Sequence, residues 1–126
     1  MNIKKKNLTE EQYRVTQQHG TEAAFSGVFC DKKDIGNYFC VCCDTKLFSS
    51  NTKYNSGSGW PAFFEPISDN VIGSSRDLSL FMERTEVHCL NCKAHLGHVF
   101  TDGPKPTGLR YCINSASLYF NSSEKQ

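Results

Sequence analysis

At 126 residues the chain is sized for one domain around one core. Its formal net charge of +1 gives no ground for an electrostatic partner such as nucleic acid, and Lys4, Lys5 and Lys6 read as a solvated tail without the broad basic face that nucleic acid needs. No stretch approaches the roughly 18 apolar residues of a membrane span, and residues 1–9 are polar with no apolar run behind them, so a soluble, cytoplasmic protein without a signal peptide or membrane partner is expected.

The first expected element is a helix starting after Thr9. Thr9 and Gln12 have capping-box spacing, Tyr13 and Val15 supply apolar surface, and Gly20 is the expected stop. Beyond Gly20 the helical period vanishes. Short β-rich runs follow at 27–30, 37–41, 71–73 and 84–88, separated by turn-forming stretches at 31–34, 55–59 and 68–70. This pattern predicts a mainly β, antiparallel single domain over 1–126, with an N-terminal helical segment and flexible tails at about 1–7 and 122–126. Nothing in the sequence demands an oligomer, so a monomer is expected.

Seven cysteines, an odd number with no export signal, point to metal binding or catalysis ahead of a disulfide framework. Cys40 with Cys43, and Cys89 with Cys92, form two Cys-x-x-Cys pairs. Each pair can sit on a tight turn that aims two thiolates at one point. Two such turns make the tetrahedral four-sulfur site that Zn2+ favours, and iron also suits four thiolates. A closed site of this kind leaves no open coordination position, so the metal is expected to be structural. The alternative is two free or redox-active pairs, although no βαβ pattern surrounds either pair as a thioredoxin-like motif requires. Cys42 reads as a small, partly buried side chain.

Trp60, the only tryptophan, follows a glycine-rich turn at Gly57-Ser58-Gly59 and is either core or a pocket wall. The segment 94–104 reads as a loop holding His95, His98 and Asp102, groups able to donate protons near neutral pH. Residues 109–114 read as a strand. Alternation puts Leu109, Tyr111 and Ile113 on an apolar face and Arg110, Cys112 and Asn114 on the other. A neighbouring guanidinium favours the nucleophilic thiolate, so Cys112 is either a nucleophile or an inert buried cysteine.

The stretches Thr52-Lys53-Tyr54-Asn55-Ser56-Gly57-Ser58-Gly59-Trp60-Pro61, His95-Leu96-Gly97-His98-Val99-Phe100 and Gly108-Leu109-Arg110-Tyr111-Cys112-Ile113-Asn114-Ser115 resemble the B-type methionine sulfoxide reductases. The similarity runs from about residue 8 to 120, and both cysteine pairs fall where the zinc-bearing members have theirs. The resemblance implies two antiparallel β-sheets with short N-terminal helices. It also implies reduction of methionine R-sulfoxide, free or in proteins. Carried over by motif, Cys112 is the nucleophile and His98 assists proton transfer, with His95, Asp102, Arg110 and Asn114 around it. Trp60 faces the substrate methyl group, and Phe63 and Phe100 are expected to complete that apolar pocket. One position departs from the pattern: many members carry a recycling cysteine where this chain has Ser58.

Attack by Cys112 leaves a sulfenic acid that a second thiol can reset. With nucleophile and metal ligands assigned, Cys30 and Cys42 remain. Cys42 is held inside the first metal turn, so Cys30 is the expected recycling cysteine, served by a thioredoxin-like reductant; direct reset by an external thiol is the alternative. A non-catalytic zinc-stabilised interaction module fits the four cysteines equally well but leaves the Arg-Cys-Asn face unexplained. A cysteine hydrolase using Cys112, His98 and Asn114 is a further competitor.

Overall fold

The computed structural model describes residues 8–77 and 84–122. The tails expected at 1–7 and 122–126 lie outside these residues, Ser122 excepted, as does the basic run at Lys4–Lys6. Among the described residues the protein is mainly β, with helix α1 (Glu10–Gln17) and nine strands: β1 (Asn37–Cys40), β2 (Lys46–Ser49), β3 (Lys53–Tyr54), β4 (Ala62–Phe63), β5 (Ile72–Asp77), β6 (Arg84–Cys89), β7 (His95–Phe100), β8 (Arg110–Ile113) and β9 (Leu118–Asn121). They form two antiparallel sheets, one three-stranded in the order β2-β1-β9 and one six-stranded in the order β3-β4-β8-β7-β6-β5.

Helix α1 starts as its sequence dictates. The Thr9 hydroxyl accepts from Gln12 N–H at 3.1 Å, and the Gln12 side chain accepts from Thr9 N–H at 2.9 Å. Its stop is shifted by one residue from expectation: His19, at φ 56, takes the left-handed position, and Gly20 N–H then closes onto the Arg14 carbonyl at 3.0 Å. Val15 is buried, whereas Tyr13 stays 47% exposed, so packing against β7 and the 3-10 turn Ser115–Ser117 rests on a narrow face.

The core lies between the sheets. Phe48 of β2 stacks on Phe63 of β4 with centroids 4.4 Å apart, and Tyr38 of β1 meets Phe63 edge-on at 5.2 Å. Leu47, Leu96, Ile113 and Leu118 close around them. Each buried ring contributes roughly 1.5–3 kcal/mol, and each favourable ring pair about 0.5–1.5 kcal/mol more.

Two expected elements change. Residues 27–30 form a turn and not a strand, because their N–H groups go to partners other than a neighbouring strand: Cys30 N–H to the Gly27 carbonyl within the turn at 3.4 Å, and Phe29 N–H to the distant Ser115 hydroxyl at 3.1 Å. The segment holding His95 and His98 is strand β7 and not a loop, sandwiched between β6 and β8. The run expected at 71–73 is the start of the longer β5.

Candidate active site

Strand register assembles the site. Glu86, His98, Cys112, Ala62 and Tyr54 are successive partners across β6, β7, β8, β4 and β3. Directly opposed residues of an antiparallel pair share a face, so His98 stands beside Cys112 and Glu86 beside His98. Phe100 and Arg110 pair in the next row of that face. The β7–β8 approach is close: any Cβ on Gly97 would run into the Cys112 carbonyl, so only glycine fits there.

A pocket of about 110 Å³ opens at Cys112, with the apolar Trp60 and Phe100 and the polar His98, Arg110 and Asn114 in its lining. Arg110 Nη1–H donates to Cys112 Sγ at 2.9 Å, while its Nε and Nη2 hold the Asp102 carboxylate at 2.9 and 3.1 Å. The guanidinium also lies 4.3 Å over the Phe100 ring. Arg110 keeps the Asp102 carboxyl below its usual range, and Asp102 in turn raises the guanidinium. Asp102 is outside the pocket lining and reaches Cys112 only through Arg110. The Ser58 hydroxyl sits 3.5 Å from Cys112 Sγ.

His95 and His98 lie three apart, a spacing that puts side chains on opposite faces of a regular strand. A register shift resolves this. Val87 pairs with Gly97 but His88 with His95, so one extra residue of β7 bulges at Leu96. His95 thereby meets His98 at 5.7 Å between centroids, and its Nδ1 lies 2.8 Å from the Glu86 carboxylate. Burial pushes His95 below the ordinary imidazole value, and the bond to Glu86 offsets this only in part. His19 places its Nδ1 3.1 Å from the same Glu86 oxygen.

Asn114 is locked by backbone at both ends of its amide: Oδ1 accepts from Glu22 N–H at 2.9 Å and Nδ2 donates to the Leu96 carbonyl at 3.0 Å. Glu22 organises this corner. Its buried carboxylate accepts from Ser115 N–H at 2.8 Å and Ala116 N–H at 3.0 Å, and its carbonyl accepts Trp60 Nε1–H at 3.0 Å. Burial raises the Glu22 carboxyl, with those two N–H groups pulling the other way. Thr21, Glu22, Arg84 and Glu86 were not singled out from sequence; no local motif marks them, and only the fold brings them in.

Two expected site residues stand elsewhere. Phe63 does not line the pocket; it is fully buried between Phe48 and Tyr38, because on β4 its side chain points between the sheets. Cys30 lines a separate cleft of about 330 Å³ with Asp31, Lys53 and Tyr54. Burial, followed by the Asp31 charge, pushes the Cys30 thiol up. Tyr54 belongs both to this cleft and to the register row of Cys112.

The sulfur atoms of Cys40, Cys43, Cys89 and Cys92 all lie within 4.8 Å of one another. Cys40 and Cys92 are 3.7 Å apart, and Cys43 and Cys89 are 3.6 Å apart. A tetrahedron with metal–sulfur bonds of about 2.3 Å has edges of about 3.8 Å, so the four thiols are positioned to hold a metal ion. Cys42 is fully buried, with Gln17 Nε2–H directed at its sulfur at 3.4 Å, and stands outside the cluster.

The SelR domain family matches residues 8–122. A Leptospira interrogans protein called peptide methionine sulfoxide reductase MsrB is 60% identical over 116 residues, covering 92% of this chain and 88% of its own length. Proteins of the same name from Escherichia coli O139:H28 and Acinetobacter baumannii are 58% and 55% identical over 120 residues; each match covers 95% of this chain, and 88% and 86% of those proteins. With a match that spans the Cys112 strand and both cysteine pairs, the chain belongs to the SelR domain family.

Proposed function

We propose that the protein reduces methionine R-sulfoxide to methionine, free or within proteins, with Cys112 as nucleophile. The observation that carries this is the Arg110 guanidinium 2.9 Å from Cys112 Sγ, in a pocket lined by both apolar and polar side chains. The Cys112 thiolate attacks the sulfoxide sulfur, and His98 delivers a proton as charge builds on the oxygen. The protonated oxygen then transfers from the substrate sulfur to Cys112 Sγ as the sulfoxide sulfur–oxygen bond and the transient sulfur–sulfur bond both break; methionine leaves, reduced by two electrons, and Cys112, oxidised by two, holds the oxygen as a sulfenic acid. His95 orients His98 and is itself oriented by Glu86. Asp102 fixes Arg110, and Asn114 frames the oxygen subsite. Trp60 and Phe100 receive the methyl group, so methyl and oxygen occupy different subsites; the R hand follows from the family resemblance.

Cys30 then attacks the sulfenic sulfur, expelling water and forming a disulfide that a thioredoxin-like dithiol reduces. The two thiols line different pockets, so this step requires movement of the 27–30 turn. Cys40, Cys43, Cys89 and Cys92 hold one structural Zn2+, whose chemistry is to fix the fold; no catalytic step passes through it. We take residues 1–126 as one catalytic domain, monomeric and cytoplasmic, where its seven cysteines, none of them in a disulfide, stay reduced.

The test is mass spectrometry after one equivalent of methionine R-sulfoxide without reductant. Wild type should release one methionine and form a Cys30–Cys112 disulfide. Cys112→Ser should release none while keeping its metal, and His98→Ala should react about 10²–10⁴ more slowly. An active Cys112→Ser protein would defeat the assignment. A persistent sulfenic acid, or a Cys42–Cys112 disulfide, would defeat only the recycling step.

A further inference from the structure

The segment from Thr21 to Phe25 leads from the pocket lining to the loop that carries Trp60. Thr21 lines it, the Glu22 carbonyl holds Trp60, and Phe25 N–H donates to the Gly59 carbonyl at 2.7 Å. Gly59 lies between Ser58, whose hydroxyl is 3.5 Å from Cys112 Sγ, and Trp60. A Cβ on Gly59 would meet Ala24 Cβ at 2.7 Å and the Phe25 ring at 3.0 Å, so that ring rests against the loop carrying Ser58 and Trp60.

Core packing explains neither of two features of Phe25. It is 71% exposed, and its backbone sits at φ 66, a left-handed conformation that is an outlier for a bulky side chain. A residue persists in such a conformation only where its surroundings over-determine it, and these cases cluster at ligand clamps. The pocket beside it is small. A cavity of about 150 Å³ accommodates one benzene, so about 110 Å³ admits a single sulfoxide side chain. If that side chain belongs to a polypeptide, the residues on either side of it must lie along the rim.

We propose that Phe25 determines substrate specificity: its exposed ring, held against Gly59 beside Trp60, packs on an apolar side chain flanking methionine sulfoxide in an extended polypeptide. The substrate class is then an unfolded segment with apolar neighbours, favoured over the free amino acid. Folded proteins bury such methionines, so unfolding exposes the sequences that this rim selects. The proposal rests on the reductase reading of the Cys112 pocket.

The experiment compares kcat and KM on three substrates: N-acetyl-methionine R-sulfoxide, and two pentapeptides with central methionine R-sulfoxide flanked by leucine or by glycine. Wild type should favour the leucine peptide over both others by about tenfold in kcat/KM, chiefly through KM. Phe25→Asn removes the ring but tolerates the left-handed backbone, and should abolish most of that preference. Phe25→Tyr keeps the ring and should retain it. An unchanged preference in Phe25→Asn would overturn the proposal, as would an equal fall in kcat on all three substrates, which would mark Phe25 as a support for the loop. Absence of turnover by wild type on any sulfoxide would remove the reductase reading itself, and this proposal with it.

Discussion

Burial decides the protonation of His95. The ring is 2% exposed, and desolvation drives its pKa below the ordinary 6.5, against the pull of Glu86. Between the lowered value and 6.5 the unfolded chain binds more proton than the folded one. Stability from this group is therefore present above 6.5 and is lost as pH falls through that window. Glu22 acts with the opposite sign, since its raised carboxyl favours the folded state at low pH and loses that contribution as pH rises. The diagnostic is thus the difference between two proteins. Urea unfolding from about pH 7 to about pH 5 should show wild type losing more stability than His95→Gln, whereas parallel curves would mean that His95 is not held neutral. At this scale the sequence marks the groups on one strand well: alternation alone places Arg110, Cys112 and Asn114 together. It does not mark Glu22, which reaches Asn114 and Ser115 across 92 and 93 positions, nor the Glu86 bond to His95, which depends on a bulge.

The two metal turns are one local structure used twice. In the first, Asp44 N–H bonds the Cys40 carbonyl at 2.9 Å and Cys40 N–H bonds the Thr45 carbonyl at 2.8 Å; in the second, Lys93 N–H bonds Cys89 at 2.7 Å and Cys89 N–H bonds Ala94 at 2.9 Å. Both turns close through a left-handed residue after the second cysteine, Asp44 at φ 67 and Lys93 at φ 69. Glycine would avoid the Cβ clash there, at the cost of extra freedom in the unfolded chain. Lys93 is exposed, so little packing is lost on truncation. Lys93→Gly should stabilise the protein by about 0.5 kcal/mol in urea unfolding, with metal content unchanged; a loss of stability would show that the lysine side chain supports the turn. Equal Cys-x-x-Cys spacing made both turns legible without a glycine signal. The strand at 95–100 is not legible in the sequence because its histidines and glycine mask the alternation, and β4 is only two residues long, too short for a period to show that Phe63 faces the core.

The four-cysteine cluster connects the two sheets. Cys40 ends β1 and Cys43 follows it, in the three-stranded sheet; Cys89 ends β6 and Cys92 follows it, in the six-stranded sheet. The cluster therefore clamps the same interface that Phe48, Phe63 and Tyr38 fill, and the strand leaving its second turn, β7, carries His98. Such an ion adds its binding free energy to folding, because the unfolded chain holds no preformed site. Cys92→Ser should release the metal and destabilise the protein by on the order of 3 kcal/mol or more, a fall of roughly 10 °C or more in Tm for a chain of this size. Cys42→Ser is the matched control: the residue is as deeply buried and one position from a ligand, yet outside the cluster, so its metal content should stay at one ion per chain. A strong chelator should lower the Tm of wild type and Cys42→Ser and leave Cys92→Ser unmoved. Full metal in Cys92→Ser, or metal loss in Cys42→Ser alone, would mean that the ligand set is misassigned. If the assignment holds, activity in Cys92→Ser should decline with the folded fraction, since the metal acts on β7 through the fold and on no step of the reaction.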